Sequence, residues 1–258
     1  MKKETEEKLA KSLTAGSADI LPYLSYLLQD LWELGSSPDD IVRAAKDMGA
    51  GPGWKALDLA CGKGAVSVRL AKELGISVKG VDLMGEFIEY AKNKAEEFGV
   101  ADLCDFAVVD INEAVQKETG CDITVLGAVG NVMGSPEHTL KKLKSTVKPG
   151  GYIVLDDGYI VEGAKALRLE GEYYTKEQWI KAFKNTGLKL IIEKTAGEET
   201  QYVNDDNTAM IASRAAELAL MHPERRALFE EYVISQQQEC DDMTDCVVSV
   251  MWVLKRIE

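Results

Sequence analysis

Apolar residues recur along this chain at two periods. Ile20, Leu21, Leu24, Leu27, Leu28, Leu31 and Leu34 fall at helical spacing, which predicts one amphipathic helix over 17–34 with Pro22 in its first turn and Gly35 at its end. A second helix starts at Ser37 as cap, with Pro38 first and Asp40 third, and stops at Gly49. From Ala56 onward the period switches. Short apolar runs (57–59, 76–81, 106–109, 121–127, 151–155, 188–193) alternate with helical stripes: Ala65 to Leu74, 84–98, the segment capped by Ser135, and the one opened by the box Thr175-Lys176-Glu177-Gln178 and closed by Gly187. Such alternation predicts an α/β fold, a doubly wound, mostly parallel sheet covered on both faces. A last β-rich run spans Val247 to Leu254, and helical patterns over Thr208–Met221 and Glu224–Gln237 precede it, predicting an inserted helical cap over 196–243.

The chemistry concentrates where strands end. The row Asp58-Leu59-Ala60-Cys61-Gly62-Lys63-Gly64 carries an acid into a glycine-spaced turn that opens a helix, whose free N–H groups suit a carboxylate or a phosphate. Asp82 ends the next strand and Asp110 the one after. Each acid alone is as readily a helix cap as a ligand. Three in order at successive strand ends are a stronger signal, and a dinucleotide fingerprint would place its acid after the glycines. Lys63 reads as a solvated side chain, and Cys61, without a nearby histidine, as a packing residue.

These residues resemble the first motif of the class I S-adenosylmethionine-dependent methyltransferases, D/E-x-G-x-G-x-G, with Ala60 at the first glycine position. Lys148-Pro149-Gly150-Gly151 matches the turn into that family's fifth strand, so the resemblance covers roughly 50–195 by motif order. It implies a Rossmann-like, seven-stranded sheet with the last strand antiparallel between the fifth and sixth. It implies S-adenosylmethionine as cofactor and S-adenosylhomocysteine as product. Asp58 and the backbone of Ala60 and Gly62 would face the methionine part; Asp82, followed by Leu83, would take the ribose hydroxyls; Asp110 and the Ile111 N–H would reach the adenine; Gly64 and Gly127 complete the set. The organisation expected is an N-terminal helical lid (1–50), a cofactor domain (51–195 with 244–258) and a cap (196–243) for substrate selection, with Tyr23, Tyr26 and Trp32 as lid candidates. The activity implied is methyl transfer to a small molecule. Aminopropyl transfer on the same fold and a non-catalytic cofactor-binding scaffold are the alternatives.

Composition narrows the acceptor. Thirty Lys and Arg against 43 Asp and Glu give a net charge of −13, which repels a phosphate backbone, and the loop after 121–127 lacks the D/N-P-P-Y/F signature of amino-directed nucleic-acid methyltransferases. No nucleic-acid partner is expected, and a neutral or cationic acceptor is favoured over an anionic one. The charged amino terminus and the lack of a bilayer-length run predict a cytoplasmic protein without a membrane partner. Five widely spaced cysteines indicate neither a disulfide frame nor a metal site. A direct displacement needs a base only if the acceptor carries a proton. The candidates for that base are Asp156, Asp157 and Tyr159 after the fifth strand; adjacent acids on a strand face opposite ways, so one of the two is expected in the cleft. His138 reads as a solvated or capping residue, His222 as a helix-junction residue and Trp179 as core.

Overall fold

A computed structural model of the chain describes residues 3–164, 173–197 and 199–258. The elements run α1 (Lys3–Ser12), a 3-10 turn (Ala18–Tyr23) leading into α2 (Leu24–Leu27), α3 (Pro38–Asp47), β1 (Lys55–Leu59), α4 (Ala65–Leu74), β2 (Ser77–Asp82), α5 (Gly85–Glu97), β3 (Cys104–Val108) and α6 (Ile111–Lys117). They continue with β4 (Cys121–Gly127), α7 (Pro136–Thr146), β5 (Val147–Ile160), β6 (Tyr174–Thr175), α8 (Lys176–Thr186), β7 (Leu188–Thr195), α9 (Glu199–Met221), α10 (Arg226–Asp245) and β8 (Val247–Arg256). The sheet order is β3-β2-β1-β4-β5-β8-β7, with β8 antiparallel to both neighbours. This is the expected doubly wound sheet. The two-residue β6 adds an eighth strand by pairing in parallel with the end of β5.

The sheet is buried on both faces, as the unbroken apolar runs required. One face packs Val68, Leu70, Ile88 and Ala91 of α4 and α5 against Val78, Val125 and Val253. The other packs Leu140, Leu143, Trp179 and Phe183 of α7 and α8 against Leu57, Leu155 and Trp252. Fully burying one such side chain stabilises by about 1.5–3 kcal/mol. Trp179 is therefore core, as its spacing indicated, and it touches Trp252 at 5.3 Å between ring centres. A third cluster joins Ile20, Leu24, Leu27, Leu28 and Leu31 to Ile211, Leu218, Phe229 and Tyr232 of α9 and α10, with Phe87 of α5 beneath. Segments some 190 residues apart in sequence thus form one helical layer.

Two local expectations fail for the same reason. The 17–34 helix is interrupted: the chain forms a 3-10 turn and a single α-turn, then runs irregularly through residues 28–37. The carbonyls of Leu28 and Leu31 accept hydrogen bonds from the Lys63 ammonium at 2.5 and 2.7 Å, so a distant donor takes acceptors that a helix would have used. The strand expected over 151–155 instead runs to Ile160, because β8 pairs with it from Tyr152↔Lys255 to Ile160↔Val247. Ladder pairing carries the strand through Asp156, Asp157 and Gly158, where local propensity would stop it. The cap helices are likewise longer than the apolar stripes that announced them.

Candidate functional site

β1 brings Asp58 to the carboxyl edge of the sheet, where open parallel sheets bind their ligands. The backbone then turns through Ala60, Gly62 and Gly64, all at positive φ (+56°, +52° and +77°). A left-handed alanine costs roughly 1–2 kcal/mol, which is what the departure from glycine at Ala60 carries. At Gly64 no side chain fits: an added Cβ would lie 2.6 Å from the Ala91 Cβ, because the turn sits directly on α5. The turn is tied to β2. Cys61 N–H donates to the Val81 carbonyl at 2.9 Å, and Gly62 N–H donates to Asp82 Oδ2 at 2.9 Å. Met84 N–H donates to the other Asp82 oxygen at 2.8 Å.

Asp82 is buried, and burial raises its pKa against the opposing pull of the Met84, Gly62 and Leu83 N–H groups. An ionised carboxylate has about four lone-pair sites, so about one remains for a ligand beside the three N–H groups. Asp58 is 3% exposed and accepts from the Ser67 hydroxyl at 2.6 Å. Burial pushes its pKa up to about 7, with the Asp82 charge adding to the effect. Its ionised form would gain most from a cation placed beside it. Asp110 caps α6 by accepting from Asn112 N–H at 2.8 Å and stands half-buried next to the end of β2, whose Asp82 pairs with Val108. Ile111 opens α6, and Leu83 is half-buried between Asp82 and Met84. Burial pushes the Cys61 thiol well above its ordinary value, which leaves it a packing group.

Over this turn lies a cleft of about 40 Å3 closed by Trp32, Glu33, Leu34 and Ser36. Those residues belong to the irregular segment 28–37, a strap across the sheet edge. Leu34 Cδ1 comes within 3.2 Å of where a Cβ on Gly62 would stand, and the Ser36 hydroxyl occupies the place of a Cβ on Gly127. Lys63 is the main correction among the sequence expectations. It is 3% exposed, with its ammonium on two strap carbonyls and 4.8 Å from the centre of the Tyr90 ring.

Beyond the ends of β4 and β5 opens a chamber of about 500 Å3. The strap supplies Leu28, Leu31 and Leu34; the cap supplies Ile211, Tyr232 and Met243; Val129 follows β4, and Asp156 and Asp157 come from β5. Both acids line it, contrary to the one-face expectation. The β4–β5 ladder ends at Gly127↔Asp156, so the chamber wraps the free edge of β5 beyond that pair. Burial pushes Asp156 up to about 6, opposed by the Ser36 hydroxyl and Ser37 N–H and reinforced by Asp40. Asp157 rises to about 7 through burial, opposed by Gly158 N–H, which donates to it at 2.7 Å, and reinforced by Asp156. Glu239 of α10, also on the wall, is raised by burial and accepts from the Thr14 hydroxyl.

The other aromatic and histidine side chains divide between the two compartments and the surrounding layers. Tyr159 stacks on Trp252 at 6.2 Å beneath the Lys176 ammonium and does not line the chamber. Tyr23 meets His222 and Phe229 edge-on, and Tyr26 donates to Glu217 at 2.7 Å, so both knit the N-terminal turn to the cap. Trp32 donates to the Lys63 carbonyl at 3.0 Å. His138 is exposed beside Ser135, and His222 joins α9 to the next turn. Tyr173 lines the chamber, its hydroxyl 3.3 Å from Met243 Sδ, while Tyr174 packs on Trp179. Sequence reasoning missed Lys63, Glu239 and the strap leucines; only the positive charge inside a glycine turn marked the first, and nothing local marked the others. Among the described residues no helix is long and apolar enough to cross a membrane, and no three or more His, Cys, Asp or Glu side chains gather as a metal site.

Comparison with known proteins gives a consistent answer. A family model described as a methyltransferase domain matches residues 50–210, more than half of the chain. The uncharacterized protein YjhP of Escherichia coli K12 is 31% identical over 108 residues, 42% of this chain and 43% of that protein. The ubiquinone biosynthesis O-methyltransferase of Actinobacillus pleuropneumoniae (serotype 5b, strain L20) is 30% identical over 106 residues, 39% and 44% of the two chains. The matches therefore span less than half the length of these two relatives. A methyltransferase structure from Thiobacillus denitrificans in complex with S-adenosylhomocysteine superposes with a TM-score of 0.75 at 18% identity, covering 90% of this chain and 96% of that one, a likeness of fold.

Proposed function

The chain belongs to the class I S-adenosylmethionine-dependent methyltransferases, and from that premise we propose that it methylates a small organic acceptor, neutral or cationic, seated in the chamber beyond β4 and β5. The observation that carries the reading is the ordered set Asp58, Asp82 and Asp110 at the carboxyl ends of three neighbouring parallel strands, with Asp82 bonded across to the glycine turn. The donor set fits the cofactor. A buried acid whose pKa desolvation raises to about 7 suits a ligand bearing cationic groups, and a carboxylate with a lone-pair site left open beside its N–H donors suits a ribose hydroxyl. Asp58 with the Ala60–Gly62 backbone would hold the methionine part, Asp82 and Leu83 the ribose, and Asp110 with Ile111 the adenine; Gly64 and Gly127 keep the turn and the end of β4 free of side chains.

When bound, S-adenosylmethionine supplies an electrophilic methyl group on a sulfonium. The chain's own part is alignment and proton removal. Strap leucines and cap residues enclose the acceptor's apolar body, and a chamber of about 500 Å3 has the size of a small-molecule site. The acidic wall of Asp156, Asp157 and Glu239 disfavours an anion. Asp157, with a pKa of about 7, is the base for an acceptor that must lose a proton from oxygen or nitrogen. The O-methyltransferase name of one relative agrees with a hydroxyl acceptor. Tyr159 has no role in this reading, since it lies outside the chamber.

The test is calorimetric titration with S-adenosylmethionine and S-adenosylhomocysteine, with NADH as control, on the native chain and Asp82→Ala. Binding of the first two alone, weakened at least about tenfold by the substitution, supports the reading, tenfold being the ~1.4 kcal/mol expected from charged hydrogen bonds. Equal affinity in the two proteins would overturn the ribose assignment. Tight binding without turnover across a panel of hydroxyl and amine acceptors would favour a scaffold.

A further inference from the structure

The strap is a wall shared by two compartments. Glu33 and Leu34 line both the cleft over the glycine turn and the acceptor chamber, while Leu28 and Leu31 line the chamber alone. Whatever fixes the strap therefore fixes the geometry of both. The structure shows one residue in a place to do so. Lys63 sits between Gly62 and Gly64 in the turn; its ammonium donates to Leu28 and Leu31, and its carbonyl accepts from Trp32. Three bonds thus join one residue of the turn to a five-residue stretch of the strap. Around the amine lie the faces of Phe87 and Tyr90, at 5.8 and 4.8 Å, which leaves little room for water to replace the strap carbonyls.

We propose that Lys63 is a positioning residue for methyl transfer: it pins the Leu28–Trp32 part of the strap to the cofactor turn, so that cofactor cleft and acceptor chamber keep a common wall. This rests on the assignment of the two compartments made above. Leu34, seated over Gly62, must shift for a ligand to rest on the turn, and the pinned stretch lets Leu34 move while the leucine wall of the chamber stays in place. Loss of the ammonium would strand the Leu31 carbonyl and leave the Leu28 carbonyl with the Leu31 N–H alone, and the strap would open to hydrate them. The charged and titratable groups facing the amine are Asp30 on the strap, itself gripped by Arg214 of α9, and Tyr90 with Lys94 near it on α5. Burial lowers the Lys63 pKa to about 8, with Asp30 pulling the other way, so the pin is charged at neutral pH and neutral in mild alkali.

The experiment measures S-adenosylhomocysteine affinity by calorimetry, and amide exchange of the peptide covering 24–36, in the native chain, Lys63→Met and Lys63→Arg from pH 6.5 to 9.5. Lys63→Met is expected to lose about tenfold in affinity, the scale of a charged hydrogen bond, and to lose strap protection at every pH. In the native chain both readouts should fall as pH passes about 8. Lys63→Arg should restore them and hold them to pH 9.5, because a guanidinium stays charged. The ligand's own titration is common to all three proteins and drops out of the comparison. If Lys63→Met does not fold, the contrast between native chain and Lys63→Arg still decides. Native-like binding and exchange in Lys63→Met, or the same alkaline fall in Lys63→Arg as in the native chain, would overturn the proposal. Failure of the native chain to bind at any pH would instead count against the cofactor reading.

Discussion

Asp58→Asn should make the ligand-free protein more resistant to unfolding at pH 8 while weakening cofactor binding. The carboxyl is 3% exposed, and its pKa of about 7 stands well above its ordinary 3.8, burial being the main cause. The folded protein therefore keeps a proton that the unfolded chain has released anywhere between about pH 4 and 7. Stability is lost as pH rises across that window, by ~4 kcal/mol in full. An asparagine of the same shape has no charge to desolvate and can still accept from Ser67. Its amide also buries a donor, at a cost of roughly 1–3 kcal/mol that does not vary with pH. The informative quantity is therefore the change in the difference between the two proteins. Urea unfolding at pH 5 and pH 8 should show the Asp58→Asn protein gaining about 2–3 kcal/mol on the native one between the two pH values. A constant difference, or a loss, would show that Asp58 is ionised at little cost and would remove the main reason for assigning it to a cationic part of the ligand.

Gly64→Ala forces a Cβ against Ala91 at 2.6 Å in a backbone at φ +77°, so a loss of about 2–4 kcal/mol and a fall in Tm on the order of 10 °C should follow. A Tm within two or three degrees of native would mean the turn and α5 separate easily. Asp157→Asn should lower kcat by about 10²–10⁴ on an acceptor that carries a proton. The native rate should rise with pH up to about 7 and then level off, since the base acts only when ionised, and Asp157→Asn should abolish that limb. A limb that persists in the variant would move the role to Asp156, whose pKa of about 6 would place the inflection lower.

The division between what the chain spells out and what folding adds is physical. The sequence by itself determined the doubly wound sheet, since strand and helix periods alternate from Ala56 onward and the runs are apolar enough to be covered on both faces. It determined the acids at the strand ends as well, because Asp58, Asp82 and Asp110 sit at the ends of three such runs and strands deliver their last residues to one edge. It determined the Thr175–Gln178 capping box and the Ser37 cap, which are bonds within a few residues. Tertiary structure decided whatever depends on partners far along the chain. Lys63 looks solvated in sequence and is buried, because the Leu28 and Leu31 carbonyls come from 35 and 32 residues away to meet it. The stretch that carries those carbonyls is irregular although its own spacing is helical. Tyr159 left the site and Asp156 joined Asp157 because pairing with β8 extended β5 past the end of β4. Whether a polar group near a strand end becomes a base, a cap or a packing residue is set by what desolvates it, and burial is a property of the assembled layers.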